Sequence, residues 1–165
     1  MKMEKRRIKE LAGYTLDALH YEDGLITPEL VTAIAIVESG GETQAVRYEP
    51  KYKWLVNPAK VKPANCTKET EIVLQKTSWG LLQVMGAVAR EYGFQGWLTE
   101  LLNPARNLYY GIVHLITLEE RGQTALGDKY NLDALISDYN DGTWRRMNNL
   151  EYVEKVKKEM GHGYK

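Results

Sequence analysis

Few positions in this 165-residue chain combine a reactive side chain with an unusual setting, and the first is Glu38. Leu30, Ile34 and Glu38 are four residues apart, so on a helix the carboxylate shares a face with aliphatic side chains. Gly40-Gly41 follow at once and read as the helix stop, which puts Glu38 in the last turn. There, desolvation and the negative end of the helix dipole both disfavour the ionised form. A carboxylic acid that keeps its proton near neutral pH is what a general acid needs. A partly exposed helix end is the commoner setting for a glutamate, and the apolar run from Ala33 to Val37 is what sets this one apart.

Two further polar interruptions stand out. Gln83 lies inside Gly80-Leu81-Leu82-Gln83-Val84-Met85, where a buried amide must find partners for its donors and its acceptor. Tyr139-Asn140 lies in Asp138-Tyr139-Asn140-Asp141-Gly142, a polar turn closing an apolar stretch through Leu132, Leu135 and Ile136. His114 adjoins a buried stripe and reads as a packed histidine. No His or Cys cluster has metal-ligand spacing, and the single Cys66 cannot form an intramolecular disulfide. Neither a cofactor nor a metal is expected.

The elements that must position these residues follow from helical periodicity. Residues 3 to 20 place Ile8, Leu11, Ala12, Thr15, Leu16 and Leu19 on one face, an N-terminal scaffold helix within residues 1 to 22. Thr27-Pro28 offers an N-cap and a first-turn proline for the helix that ends at Glu38. Residues 42 to 78 lose periodicity, with Pro50, Pro58 and Pro63 as breakers, and read as a long surface loop with short turns. Its Tyr48, Tyr52 and Trp54 are either a sugar-stacking wall or, more commonly for such residues, pins that hold a loop to the body. The stretch from Thr77 leads into a helix through about Tyr92. Asn103-Pro104 caps a helix with Leu108, Ile112, Leu115 and Leu118 inward and Gly122 as its stop, and a last helix near 148 to 159 turns Tyr152, Val153 and Val156 inward. Any strands are short and lie in the long loop. The expected class is mainly α, one domain over residues 1 to 165.

Composition narrows the partners. Lys and Arg together number 22 and so do Asp and Glu, so bulk charge does not favour nucleic acid. No stretch reaches the roughly 18 apolar residues of a membrane span. Met1-Lys2-Met3-Glu4-Lys5-Arg6-Arg7 leads into a mixed pattern and not an apolar h-region, so synthesis in the cytoplasm without a Sec signal is expected.

Glu38-Ser39, Gly80 to Met85 and Tyr139-Asn140 resemble, in that order, the Glu-Ser, Gly-Leu-Met-Gln and Ala-Tyr-Asn motifs of the lytic transglycosylase (SLT) family, whose fold is goose-type lysozyme-like. The segment from Asn103-Pro104 through Tyr110-Gly111 to His114-Leu115 is similar to the helix before the family's third motif, with His114 where a tyrosine is usual. The resemblance covers most of residues 28 to 156. The Ala45 to Pro50 loop and the insertion after it look closer to phage and prophage members.

The resemblance implies cleavage of the β-1,4 bond between N-acetylmuramic acid and N-acetylglucosamine in peptidoglycan, with a 1,6-anhydro product and Glu38 as single acid and base. It assigns Ser39, Gln83, Met85, Tyr139 and Asn140 to the substrate groove, with Tyr139 orienting Glu38 and with Gln83 and Asn140 contacting the sugars. The glycan strands are the implied partner, along with other phage particle or lysis proteins, and the implied place of work is the cell wall, after release or on a virion. Three departures matter. Arg47 replaces a frequent serine, so it either positions substrate differently or pairs with Glu49. Asn148-Asn149 stand where Glu-Thr is common before Tyr152-Val153. Asp138 replaces the alanine of the third motif, and a second carboxylate roughly 6.5–9.5 Å from Glu38 would suit an inverting hydrolase. Asp138, Asp141, Glu42 and Glu49 are candidates for that base, although a solvated Asp138 is the simpler reading. A non-catalytic particle component that binds peptidoglycan is the third alternative.

Overall fold

The computed structural model describes residues 1–141 and 149–161. The centre is helix α2, Pro28–Ser39. It starts where expected: the Thr27 hydroxyl accepts from the Leu30 amide at 3.1 Å, and Pro28 occupies the first turn, where its missing N–H costs nothing. Every residue from Leu30 to Ala35 is buried, so α2 is apolar on all sides and must be enclosed by other elements. Helix α1, Lys5–Ala18, covers one side with Ile8, Ala12 and Leu16, and helix α7, Leu150–Met160, covers another with Val153 and Val156. Gly40 ends α2 in the left-handed region at φ 64°, its amide donating to the Ile36 carbonyl at 2.9 Å.

After α2 the chain forms a three-stranded antiparallel sheet in the order β1 (Val46–Tyr48), β2 (Thr77–Trp79), β3 (Val84–Met85), with Val46 opposite Trp79 and Trp79 opposite Val84. Short strands were expected within residues 42 to 78, which hold β1 and the start of β2, whereas β3 lies beyond them. A helix between β1 and β2 was not expected: α3, Lys68–Gln75, capped by Thr67, breaks up the supposed loop of residues 42 to 78. Its buried side chains are Glu71 and Gln75, so a search for apolar periodicity passes over it. Glu71 receives Arg90 Nε at 2.7 Å and Nη2 at 3.0 Å, both side chains being fully buried, while Gln75 adds a third donor at 2.9 Å. Arg90 lies on α4, Gly86–Glu91, and its Nη1 also donates to the Phe94 carbonyl at 2.6 Å.

Helix α5, Pro104–Leu126, is capped by the Asn103 side chain, which accepts from the amides of Ala105 and Arg106. Leu108, Ile112, Leu115 and Leu118 are buried as the spacing predicts. Gly122 is not the stop. The helix continues to Leu126, and a Cβ at 122 would sit 2.1 Å from the Tyr130 ring, so the glycine makes room for a close aromatic contact in mid-helix. Helix α6, Leu132–Asp141, packs against α5 and α7. The last helix begins at Leu150, slightly later than expected, and the turn residue Gly142 and the departure at Asn148 lie outside the described residues. No helix among the described residues is long and apolar enough to cross a membrane.

Candidate active site

Glu38 sits in the last turn of α2, half-buried. Its Oε1 accepts the Tyr152 hydroxyl at 2.6 Å. Tyr152 comes from α7 and is held in place by the burial of its neighbours Val153 and Val156 against the core. Desolvation raises the Glu38 pKa above the ordinary carboxylate value, and outweighs the Tyr152 hydrogen bond and the attraction of Arg47, both of which pull it down. Among the described residues Glu38 makes no ion pair, so its proton is opposed by one neutral donor and one cation at a distance. Tyr152 in turn is driven to keep its proton, by burial first and by Glu38 second, which makes it a permanent donor to the carboxyl.

The expectation that Tyr139 orients Glu38 is not met. The Tyr139 hydroxyl donates to the Leu82 carbonyl at 2.7 Å, which ties α6 to the turn between β2 and β3. Tyr139 still lies within electrostatic reach of Glu38 and is buried enough that its phenol stays protonated. Sequence reasoning placed Tyr152 inward, but nothing in the local pattern says which acid it meets.

Gln83 is a tie and not an open hand. Its Nε2 donates to the Gly80 carbonyl at 2.9 Å and the Ala45 carbonyl at 3.2 Å, while its Oε1 accepts the Ser78 hydroxyl at 2.9 Å. Both amide donors are thereby spent inside the protein. Gln83 itself holds φ at 47°, and Gly80 at 68°, so the turn is a strained one closed by this amide. Asn107 of α5, buried and missed in the sequence, clamps the same turn: its Oδ1 accepts from Leu82 N at 2.8 Å, and its Nδ2 donates to Trp79 O at 2.6 Å and Leu101 O at 3.0 Å.

The remaining predicted residues separate into near and far. Met85 is half-buried on β3 opposite Ser78. Ser39 Oγ donates to the Ala35 carbonyl one turn back, at 2.9 Å. Asn140 is exposed at the end of α6 and accepts from Asn149 Nδ2 at 3.1 Å, while Asn149 also brackets Ser137. Arg47 projects from β1, 69% exposed, and pairs with Glu49 at 2.5 Å, the pairing that its replacement of a serine suggested. Asp138 is not solvated: it is 3% exposed and accepts the Tyr130 hydroxyl at 2.9 Å, on the side of α6 that meets the Gly122 contact. Glu42 is held to the chain's terminal amine, which keeps its carboxyl below the ordinary range. Asp141 is exposed at the end of α6.

His114 faces Tyr92, Nδ1 to phenol oxygen 2.8 Å, and its ring centre is 5.7 Å from that of Tyr139. Burial lowers its pKa to about 4, so the ring is neutral at neutral pH and acts as packing, in line with the sequence reading. Cys66 is a buried free thiol. No group of three or more His, Cys, Asp or Glu among the described residues is placed to hold a metal.

A mainly helical body with a small three-stranded lip, and a desolvated carboxyl where the central helix runs out, is consistent with a lysozyme-like domain. The sequence matches the Transglycosylase SLT domain family over residues 21–160, and the chain belongs to that family, whose members are lytic transglycosylases that cleave the glycosidic bonds of peptidoglycan. No curated protein and no solved structure gives a significant match.

Proposed function

We propose that Glu38 is the single acid and base of the reaction. As an acid it gives its proton to the glycosidic oxygen while the bond from the muramyl C1 breaks. As a carboxylate it then takes the proton of the C6 hydroxyl while O6 attacks C1, which closes a 1,6-anhydromuramic acid and returns Glu38 to its starting state. No water is consumed. The observation that carries this reading is the setting of Glu38: a carboxyl whose pKa is raised by desolvation, served by the Tyr152 donor that supports the charge once the proton has left.

The other candidate bases argue for one carboxylate rather than two. Asp138 is buried under Tyr130, and Glu49 and Glu42 are engaged with cations. Asp141 is exposed at the end of α6, so a hydrolase on this scaffold would have to free one of those three or draw on Asp141. Glu38→Gln tests the assignment: turnover of peptidoglycan should fall by about 10²–10⁴-fold, the usual contribution of a positioned acid or base, with the fold retained. Turnover close to that of the parent would move the catalytic role elsewhere.

The Ala45 to Pro50 loop and the insertion after it favour a phage or prophage cell-wall-degrading enzyme, made in the cytoplasm and acting on the wall after release or as a virion component. Its partners are then the glycan strands and other particle or lysis proteins. Presence in purified particles would assign it to the virion, and presence in the lysate alone would assign it to lysis.

A further inference from the structure

Helix α5 carries Ala105, Arg106, Tyr109 and Tyr110 at spacings of three and four residues, which puts them on one side of its first two turns. Facing them is Phe94, on the link between α4 and the short helical turn Leu98–Leu102, and the five side chains line an open cleft of about 440 Å³. Its rings meet edge to face, Phe94 and Tyr110 at 5.3 Å between centres and Tyr110 and Tyr109 at 5.1 Å, so none is stacked flat on another. Packing accounts for the first two, since Phe94 belongs to the core and Tyr110 packs against it. It does not account for Tyr109, which is 43% exposed.

The polar atoms of this cleft are unspent, unlike those of Gln83 and Asn107. Among the described residues neither phenol has a hydrogen-bond partner, and the Arg106 side chain commits only Nη1, to Glu100, which leaves Nε and Nη2 open. The guanidinium carbon lies 6.0 Å from the centre of the Phe94 ring, and Glu100 is itself held by the Trp97 amide at 2.9 Å, so the charged pair is fixed at the cleft wall. Because the pair cancels its own charge, the cleft suits an uncharged ligand better than a phosphate polymer or a lipid headgroup. A ligand that lays a flat C–H face on one ring and offers hydroxyl and amide groups to phenols and a guanidinium is an N-acetylated sugar. Tyrosine and arginine are also common at protein interfaces, but a concavity of this volume has the size of a small-ligand site.

We propose that this cleft is a second glycan-binding site without a catalytic role, in which Tyr109 stacks on an N-acetylhexosamine of the peptidoglycan strand while Arg106 and Tyr110 meet its polar groups. The choice of ligand rests on the family's substrate and is independent of which group acts as the acid. The test titrates the full-length chain, carrying Glu38→Gln to suppress turnover, with the β-1,4-linked N-acetylglucosamine tetramer and follows backbone amide signals by NMR. Signals of residues 105 to 110 should shift. Tyr109→Ala in the same background should weaken the binding they report by about tenfold, the scale of one aromatic contact, while signals of residues 38 to 41 respond as before. Tyr109→Phe should restore most of the affinity, and Tyr14→Ala, an exposed ring on α1, should change nothing. The melting temperature of Tyr109→Ala should match that of its background, which separates stacking from a structural role. Signals at 105 to 110 that stay still, or that titrate identically with and without the ring, would overturn this proposal alone if the parent chain cleaves peptidoglycan. No shift at either place, with a parent that leaves peptidoglycan intact, would overturn it together with the reading of the chain as a glycan-cleaving enzyme.

Discussion

Glu38 and Glu71 are both desolvated carboxylates on helices, and they are used in opposite ways. Glu71 receives two guanidinium nitrogens from Arg90 and the amide of Gln75, all inside the protein. Its charge is fully answered, and it ties α3 to α4. Glu38 receives a single phenol and sits where the backbone of α2 leaves off, with its nearest cation already turned toward Glu49. What separates the acid proposed to react from the structural one is, beyond the deeper burial of Glu71, the completeness of its partners. The same contrast holds on the polar side: Gln75 and Gln83 each spend their whole amide on backbone and neighbouring side chains, one below the loop and one in the turn beside the site.

The comparison predicts that the two glutamates fail differently. The largest effect is on turnover: Glu38→Gln loses about 10²–10⁴-fold in activity, as stated above, but gains stability where the parent carboxyl is ionised. The sign follows from its raised pKa. Between the unfolded carboxylate value and the higher folded one, the native state binds more protons than the unfolded state, so stability is full below the unfolded value and declines as pH rises through the folded one. Thermal melts of Glu38→Gln and the parent should therefore coincide near about pH 4, close to the ordinary carboxylate pKa, and diverge in favour of the variant at alkaline pH. Glu71→Ala should do the reverse. It strands the Arg90 charge in the core, which costs about 3–5 kcal/mol, and calorimetry should register a loss of stability of that size.

Smaller changes sharpen the reading of the site. Tyr152→Phe removes one hydrogen bond to the Glu38 carboxylate, worth about 0.5–1.5 kcal/mol, so activity at the optimum should fall several-fold at most. The bond pulls the Glu38 pKa down, and its loss lets that pKa rise, so the alkaline limb of the pH–rate profile should move to higher pH. An alkaline limb that stays put or moves to lower pH would remove Tyr152 from the account. Arg47→Ala should move the limb the same way by less, because an exposed cation is screened, and added salt should erase the difference.

Much of the scaffold was legible because it is written in local signals. Thr27-Pro28 and Asn103-Pro104 announce two helices before any apolar pattern begins, and the stripe from Leu108 to Leu118 gives the buried face of α5. Helix α3 was not legible, since its inward face is Glu71 and Gln75 and its stability comes from a partner on another helix. Gly122 misled for a related reason: its role is set by Tyr130, eight residues away in sequence and against it in space. At the site, the position of Glu38 on an apolar face could be read from spacing alone. Its partner could not. Tyr139 carries the motif but bonds to Leu82, and Tyr152, from a helix 114 residues beyond Glu38, supplies the hydrogen bond. Likewise the anomaly of Gln83 pointed correctly to a special place, while the reason for it lies in carbonyls that only the folded turn brings within reach.

The central claim is that one carboxyl does both proton transfers and that water takes no part. Purified peptidoglycan digested with the parent chain in water enriched in heavy oxygen, followed by mass spectrometry of the soluble muropeptides, tests it directly. The account predicts products lighter by one water than reducing muropeptides, ending in 1,6-anhydromuramic acid and carrying no heavy oxygen. Reducing-end products with heavy oxygen at C1 would contradict it, and would require a second base to activate that water.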